Sequence, residues 1–235
     1  MTRKVTAHLF SSANGVVESP NLRQFDAFGP EEGQLMGQVI GPVTDVVIGR
    51  RLWQEWSAFW PGADDPFSQF INPVRKHVVS STLSGDLPWN STVIDGDPVG
   101  YVTDLREQDS GHISVVGGVD TVQSLFVAGV IDKLILTTHP VVTNEGRRLF
   151  DDSVPTMRLS LLRAQQTSAG NAVLTYARRP TDEGETVPPA TQVQCREKGT
   201  RCLQRHPSPL GQFSAQPAPA ADRLRNRSAA AGVVR

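Results

Sequence analysis

The sequence contains very little cysteine, and neither of its two thiols lies in the first three quarters of the chain. Cys195 and Cys202 are separated by six residues, which matches neither the spacing of a zinc knuckle nor a redox C-x-x-C pair. Disulfide stapling and thiol catalysis are therefore excluded for residues 1–180. We expect the two cysteines to be incidental.

Long apolar runs and a large excess of charge of one sign are also absent. No stretch reaches the roughly 18 consecutive apolar residues of a membrane helix, and the first residues lack the apolar core of a signal peptide. We therefore expect a cytoplasmic protein with no membrane partner. Residues 1–180 hold 15 Lys/Arg and 19 Asp/Glu, and this acidic balance argues against a nucleic-acid partner.

Residues 181–235 differ in composition from the rest of the chain. They hold six prolines, eight Lys/Arg, five Asp/Glu and no periodic segment long enough to pack. Such a composition is typical of a disordered, low-complexity tail, and an out-of-frame extension would look the same. The sequence therefore predicts one domain over residues 1–180 and a disordered tail over residues 181–235.

The body alternates short apolar strands with helices, as in an α/β protein. Its clearest unit, residues 112–129, consists of an apolar strand, a glycine pair and an amphipathic helix. The residues of this turn and helix start are Gly117, Gly118, Val119, Asp120 and Thr121. A helix that begins on a glycine turn directs free N–H groups and its dipole at an anion. The pair is not G-x-G-x-x-G, so the usual dinucleotide fingerprint is absent, and a plain strand-to-helix turn is the alternative interpretation.

Two other predicted strands end in residues that suit a ligand. The two turns are Gly49-Arg50-Arg51 and Ser80-Ser81-Thr82. Guanidinium groups suit bidentate phosphate capture, and hydroxyls can bind phosphate or ribose, although each turn alone is equally typical of a surface loop. Ligands of open α/β sheets lie beyond the carboxyl ends of the strands. Three such turns on neighbouring parallel strands would therefore line one crevice.

Two further segments bear on function. The long loop from residue 11 to residue 30 contains the turn Asn14-Gly15 and suits a lid or a substrate wall, with a surface excursion as an equal alternative. Two strands over residues 157–167 and 172–178 predict an antiparallel hairpin at the edge of the sheet.

In these segments the chain resembles the dihydrofolate-reductase-like family that includes the reductase domain of bacterial riboflavin biosynthesis. Within that family it is most similar to small stand-alone bacterial reductases. The matching pieces follow the family's order over residues 3–179, and the most specific is A-G-V-I-D-K-L-I-L-T-T-H-P-V-V-T-N-E-G-R-R-L-F. The resemblance implies a three-layer α-β-α fold whose mostly parallel sheet carries antiparallel C-terminal strands.

The resemblance also implies ligands and partners. It implies NADPH as the cofactor, a small pterin-like or ribosylamino-pyrimidine-like heterocycle as the substrate, and a homodimer. Relatives often pair through their C-terminal strands, and the apolar run 134–142 is compatible with such pairing. No zinc deaminase half is expected, because H-x-E and P-C-x-x-C are absent, and no metal site is expected.

By position, the resemblance assigns part of the cofactor to each turn. The turn at 49–51 would meet the phosphates, the segment 80–82 the adenosine ribose and its 2′-phosphate, the glycine pair the pyrophosphate, and Asn14-Gly15 the nicotinamide. The sequence departs from the family's pattern at two positions. Asn14 stands where the family has Asp, and Leu52 replaces a threonine.

No acidic residue obviously matches the acid of true dihydrofolate reductases, so Asp26 is only a tentative catalytic residue. Glu18, His8 and His139 are further candidates for a proton relay, with a packed structural role as the alternative for each histidine. Hydride transfer is the chemistry of the cofactor, so a dedicated acid need not be visible. The sequence predicts an NADPH-dependent oxidoreductase. The alternative is a non-catalytic NADP(H)-binding protein of the same fold that acts as a binding or interaction module.

Overall fold

The computed structural model describes residues 3–22, 24, 27–108 and 111–179. Within these residues, eight strands form one sheet in the order β4-β3-β2-β5-β1-β6-β8-β7. The strands are β1 (Val5–Ser12), β2 (Val43–Gly49), β3 (Arg75–Val79), β4 (Ser91–Ile94), β5 (His112–Val116), β6 (Lys133–His139), β7 (Leu159–Gln166) and β8 (Ala172–Arg178). The helices are α1 (Pro30–Ile40), α2 (Arg50–Phe59), α3 (Pro66–Ile71), α4 (Pro98–Arg106) and α5 (Val119–Val127).

The sheet is parallel except at one edge. From β4 to β6 every neighbouring pair is parallel, whereas β8 is antiparallel to β6 and β7 is antiparallel to β8. Parallel neighbours require crossovers, and helices supply most of them here, whereas β7 and β8 are joined by a tight turn. The predicted α/β fold with antiparallel C-terminal strands is confirmed.

Two apolar clusters hold the layers together. On one face of the sheet, Ala7, Val47 and Val115 pack with buried residues of α4 and α5. On the opposite face, Val46 and Ile48 of β2 belong to a second cluster that includes residues of α2 and α3. Successive strand residues point to opposite faces, so the central strands are apolar on both sides, as expected for a covered parallel sheet.

The face of β1 and β6 opposite α4 and α5 is different in character. It carries His8, Phe10, Thr137 and His139, which alternate with the apolar residues of the first cluster. Glu32 is the buried residue of α1. The residues expected to form the apolar face of that helix are only half-buried; they are Leu35, Met36, Val39 and Ile40. Periodicity therefore identified the helix but not which of its side chains is buried.

A buried charge cluster lies at the amino end of β2 and β3. Asp45 is fully buried and accepts hydrogen bonds from Arg3, Arg75 and His77. Burial raises the pKa of the Asp45 carboxyl, but the hydrogen bonds from His77 and Arg3 outweigh it and hold that pKa far below its usual range. Because the ligand-suited turns follow the carboxyl ends of the strands, this cluster lies at the opposite end of the sheet.

The apolar run 134–142 contains an interior strand of the sheet. β6 lies between β1 and β8, hydrogen-bonded on both sides, so it offers no free edge for a second chain. The C-terminal edge strand of the described sheet is β7, beyond β8, where Leu161 and Leu162 are each more than half exposed. The predicted tail, residues 181–235, lies outside the described residues.

Candidate functional site

The carboxyl ends of four adjacent strands bring the sequence-predicted turns to one edge of the sheet. In spatial order these strands are β3, β2, β5 and β1. Gly49 pairs with Val79, and Ile48 pairs with Val116, so the 49–51 turn lies between the turns that follow β3 and β5. The expected convergence of the turns is therefore observed, and the roles of their residues in binding remain predictions.

The glycines of this edge are required by close packing and by backbone geometry. Gly117 and Gly118 have φ values of +51° and +71°, a region that L side chains rarely adopt. A Cβ on Gly118 would lie 3.7 Å from the backbone of Gly49, and a Cβ on Gly49 would lie 2.7 Å from Thr121 Oγ1. The 49–51 turn and the α5 start are therefore in direct contact.

Two helices begin at this contact without side-chain caps. Gly49 is the N-cap of α2 and Gly118 is the N-cap of α5, and neither supplies a side-chain hydrogen bond. The first N–H groups of a helix have no intrahelical acceptor, and the helix dipole places positive charge there. Two such helix starts side by side, bare of Cβ atoms at the glycines, fit an elongated anion such as a diphosphate.

The side chains of the other turn residues differ in their hydrogen bonding and in their exposure to solvent. Arg50 donates to Gln54 Oε1 at 2.9 Å, and Arg51 is exposed. Ser80 Oγ accepts hydrogen bonds from the backbone N–H groups of Thr82 and Leu83, so this hydroxyl closes its own turn. Ser81 and Thr82 are exposed at the end of β3. This end of the edge thus offers exposed guanidinium and hydroxyl groups to solvent.

Asp120, in the first turn of α5, is paired rather than free. Both carboxylate oxygens accept from the guanidinium of Arg147, with Arg147 Nη1 to Asp120 Oδ2 at 2.9 Å. These hydrogen bonds hold the pKa of Asp120 below its usual range, against the opposing effect of burial. Sequence reasoning missed Arg147, which lies 27 positions away. Its pairing reduces the negative charge that Asp120 would present to an anion at the helix start.

The Asn14-Gly15 turn is bound to the segment that follows β6. Asn14 Nδ2 donates to the Thr143 carbonyl at 2.7 Å, and the Gly15 carbonyl accepts from the Leu149 N–H. A cleft of about 520 Å³ lies beside this turn; its lining includes Arg147 and Arg148. The side chain predicted to lie near the nicotinamide thus also holds one wall of an open cleft.

Two histidines lie on the α1-facing side of β1 and β6; His139 is buried and His8 is half-buried. His8 Nε2 is 2.8 Å from Thr137 Oγ1, and burial lowers the pKa of His8 to about 4, so its ring is neutral at pH 7. His139 Nδ1 is 2.7 Å from Asn171 Oδ1. The second ring nitrogens, His8 Nδ1 and His139 Nε2, are buried without a hydrogen-bond partner among the described residues.

Glu32 completes a chain of hydrogen bonds behind His139. Asn171 Nδ2 donates to Glu32 Oε1 at 2.7 Å and to the Ala27 carbonyl at 2.6 Å. Burial raises the pKa of the Glu32 carboxyl, but hydrogen bonds from Thr167, Asn171 and the Gly29 N–H hold it below its usual range. Glu32 is therefore an ionised carboxylate at neutral pH. Asp26, the tentative catalytic residue, lies outside the described residues.

The sheet order and the helices around it give the chain a dihydrofolate-reductase-like fold. The chain belongs to the family of the RibD C-terminal domain, whose model matches residues 3–173. It is 22% identical over 180 residues to the uncharacterised protein YyaP of Bacillus subtilis (strain 168), covering 74% of this chain and 94% of that protein.

Two solved structures share the fold at low sequence identity. A pyrimidine reductase-like protein from Corynebacterium diphtheriae has a TM-score of 0.56 and 16% identity, covering 75% of this chain and 92% of that one. Dihydrofolate reductase from Enterococcus faecalis, complexed with NADP(H), has a TM-score of 0.51 and 13% identity, covering 76% and 99%. The resemblance inferred from the sequence is confirmed at the level of family and fold. Among the described residues, no helix has the length and apolar character of a membrane span.

Proposed function

We propose that this protein is an NADPH-dependent reductase of a small heterocyclic substrate, pterin-like or ribosylamino-pyrimidine-like. The observation that carries the proposal is the pair of uncapped helix starts at Gly49 and Gly118, in contact at the carboxyl edge of the sheet. Family membership and a fold neighbour complexed with NADP(H) support the same cofactor. The bound cofactor would supply the hydride, and the chain would position the reactants and exclude water.

The residues of the edge have distinct roles in this proposal. Backbone N–H groups of α2 and α5 bind the pyrophosphate, with glycine at 49, 117 and 118 allowing close approach. Arg50 or Arg51, with Ser81 and Thr82, binds the 2′-phosphate, which distinguishes NADPH from NADH. Asn14 and Gly15 border the nicotinamide end. These assignments remain predictions for each residue.

A fluorescence titration with NADPH and NADH tests the cofactor assignment. Replacing Arg50 and Arg51 by Ala removes charge-assisted hydrogen bonds of about 1.5–3 kcal/mol each, so NADPH affinity should fall roughly tenfold or more. NADH affinity should change little. Lys133→Ala, an exposed cation at the amino end of β6, is the matched control. Equal losses for the two nucleotides would reject the 2′-phosphate role, and no NADPH binding by the wild-type protein would reject the function.

A non-catalytic NADP(H)-binding protein is the second candidate, favoured by two departures from the family pattern. Leu52, in place of a threonine, packs so closely on Gly117 that a Cβ there would clash with it. The Asn14 amide oxygen accepts from Ser12 and Thr143, and its nitrogen donates to the Thr143 carbonyl. Assaying NADPH oxidation against a panel of pterins and pyrimidines separates the two candidates. Binding without oxidation on any compound would favour the second.

We also propose that the protein is a homodimer. The described surface that fits this role is the β7 edge, where Leu161 and Leu162 are exposed by 56% and 52%. An exposed apolar edge strand readily pairs with another chain. Sedimentation velocity of the wild-type chain and of Leu161→Lys provides the test. A monomeric wild-type protein at micromolar concentration would reject the dimer.

A further inference from the structure

The tautomer of His139 follows from its neighbours. Asn171 must present its amide nitrogen to Glu32 and to the Ala27 carbonyl, because both are acceptors. The amide oxygen therefore faces His139, and an oxygen can only accept, so His139 Nδ1 carries the proton. In the neutral ring, Nε2 is then a bare lone pair, buried and without a partner among the described residues.

An imidazole nitrogen buried without a partner is costly, and a ligand donor would remove that cost. A buried hydrogen-bonding group left unsatisfied carries its full desolvation penalty. His139 is 3% exposed, so water at the molecular surface does not satisfy it. Asn171, held by Glu32, bonds Nδ1, which leaves Nε2 as the ring nitrogen of His139 without a partner among the described residues.

The neighbouring aromatic rings suit a flat ligand. Phe10 lies 5.8 Å from the ring of His139 in a stacked geometry, and 5.9 Å from Phe28 in an edge-on geometry. Phe28 is 45% exposed, so this group of rings meets solvent on that side. Aromatic rings with one polar partner are the common lining of sites for planar heterocycles.

His139 also lies at the same edge as the proposed cofactor site. It is the last residue of β6 and pairs in register with Ser12, the last residue of β1. The turn that follows β1 contains Asn14 and Gly15, which the family resemblance assigns to the nicotinamide end. A heterocycle against His139 would therefore lie beside that turn.

We propose that His139 is a substrate-binding residue whose Nε2 accepts a hydrogen bond from an N–H group of the heterocycle, with Asn171 and Glu32 as positioning residues. This proposal rests on the proposed reductase function. Pterins and aminopyrimidines carry ring and exocyclic N–H groups, which are the donors that a ring protonated at Nδ1 lacks at Nε2. The contact holds the flat ring of the substrate at the carboxyl end of β6 and transfers no proton.

The surrounding charges support this role. The ionised Glu32 carboxylate accepts from the Asn171 amide and so keeps the amide oxygen, rather than its nitrogen, towards His139. The nearby ring of His8, beyond Phe10, is neutral at pH 7 because burial lowers its pKa to about 4, so it places no positive charge beside a substrate N–H. Glu32 and His8 are the titratable groups among these partners of His139 and the rings around it.

Two substitutions test the hydrogen bond at Nε2. His139→Asn keeps a donor near the position of Nδ1 for Asn171 and lacks Nε2, whereas His139→Gln places an amide oxygen within reach of the position of Nε2. The KM for the heterocycle should rise roughly tenfold in His139→Asn, the loss of about 1.4 kcal/mol expected for one hydrogen bond, and should be partly restored in His139→Gln. NADPH affinity should stay within about twofold. The matched control is His112→Asn, at the amino end of β5. A wild-type KM in His139→Asn would overturn the proposal.

Nitrogen–proton correlation spectra of the histidine rings in the wild-type protein give a readout that needs no activity. We expect His139 to be protonated at Nδ1, and Asn171→Ala to move the proton towards Nε2. Millimolar pterin or diaminopyrimidine should shift the Nε2 resonance of His139. An Nε2–H tautomer in the wild-type protein, or no shift with either compound, would overturn the proposal and would indicate an internal water at this atom. A wild-type protein that does not bind NADPH would instead reject the proposed function.

Discussion

Buried ionisable groups occur in two regions of this sheet, and the two regions differ in whether those groups have partners. At the amino end of β2 and β3, both oxygens of Asp45 and both ring nitrogens of His77 are hydrogen-bonded. Beneath α1, His8 and His139 each have one bonded and one unpartnered ring nitrogen among the described residues. The first region is a closed structural network. The second has hydrogen-bonding capacity to spare for a ligand.

The largest expected effect is the loss of folding stability when the hydrogen-bonded network around Asp45 is broken. Asp45→Asn removes the charge that compensates the buried Arg3, and breaking a buried ion pair costs about 3–5 kcal/mol. Urea denaturation should show that loss in the free energy of unfolding, while the folded fraction still binds NADPH. A loss below about 1 kcal/mol would mean that the network contributes little to stability.

The second prediction concerns pH and the region beneath α1. Burial lowers the pKa of His8 from 6.5 to about 4, so the unfolded chain binds a proton first as the pH falls. Stability from this group is therefore full above pH 6.5 and is lost as the pH falls towards 4. A shift of this size corresponds to about 3 kcal/mol.

Comparing wild-type protein with His8→Gln in urea denaturation between pH 7 and pH 4 measures this contribution. The stability difference between the two proteins should change across that window, and His112→Gln serves as the control. Parallel stability curves for His8→Gln and the wild-type protein would contradict the lowered pKa.

The third prediction compares two buried histidines directly. His77→Asn leaves Asp45 Oδ1 and the Tyr101 hydroxyl without this partner, at a cost of about 1–3 kcal/mol. His139→Asn retains a donor for Asn171 and removes a nitrogen that has no partner, so we expect a cost below about 1 kcal/mol. Thermal or urea unfolding of the two variants measures the difference. Equal costs would remove the distinction between the two regions.

The sequence predicted the parts of the molecule that depend on local signals. The glycine pair at 117 and 118 marks a turn because its φ values exclude other residues, and α5 follows from helical spacing after it. The shared edge of the three turns followed from the general rule for open α/β sheets. These features needed no knowledge of distant contacts.

The hydrogen-bonded cluster of His139, Asn171 and Glu32 could not be predicted in the same way. Asn171 and Glu32 are 139 positions apart, and His139 meets Asn171 only because β8 lies beside β6. Helical periodicity marked the apolar side of α1 for burial, but the strands beneath it are polar there, so Glu32 is buried instead. The residues of this cluster are brought together by the order of the strands in the sheet, and local sequence patterns do not reveal that order.

The smallest expected effect is that of removing residues 181–235. The hydrogen bonds that define both regions are made by earlier residues: those of the amino-end network join residues from Arg3 to Tyr101, and those of the cluster beneath α1 end at Asn171. β8 ends at Arg178, whose guanidinium already bonds the Val127 carbonyl of α5. The truncated chain should therefore unfold within about 0.5 kcal/mol of the full chain and bind NADPH equally well. Lost folding or weakened NADPH binding would mean that the domain extends past residue 179, and that one of the two regions has a partner in that segment.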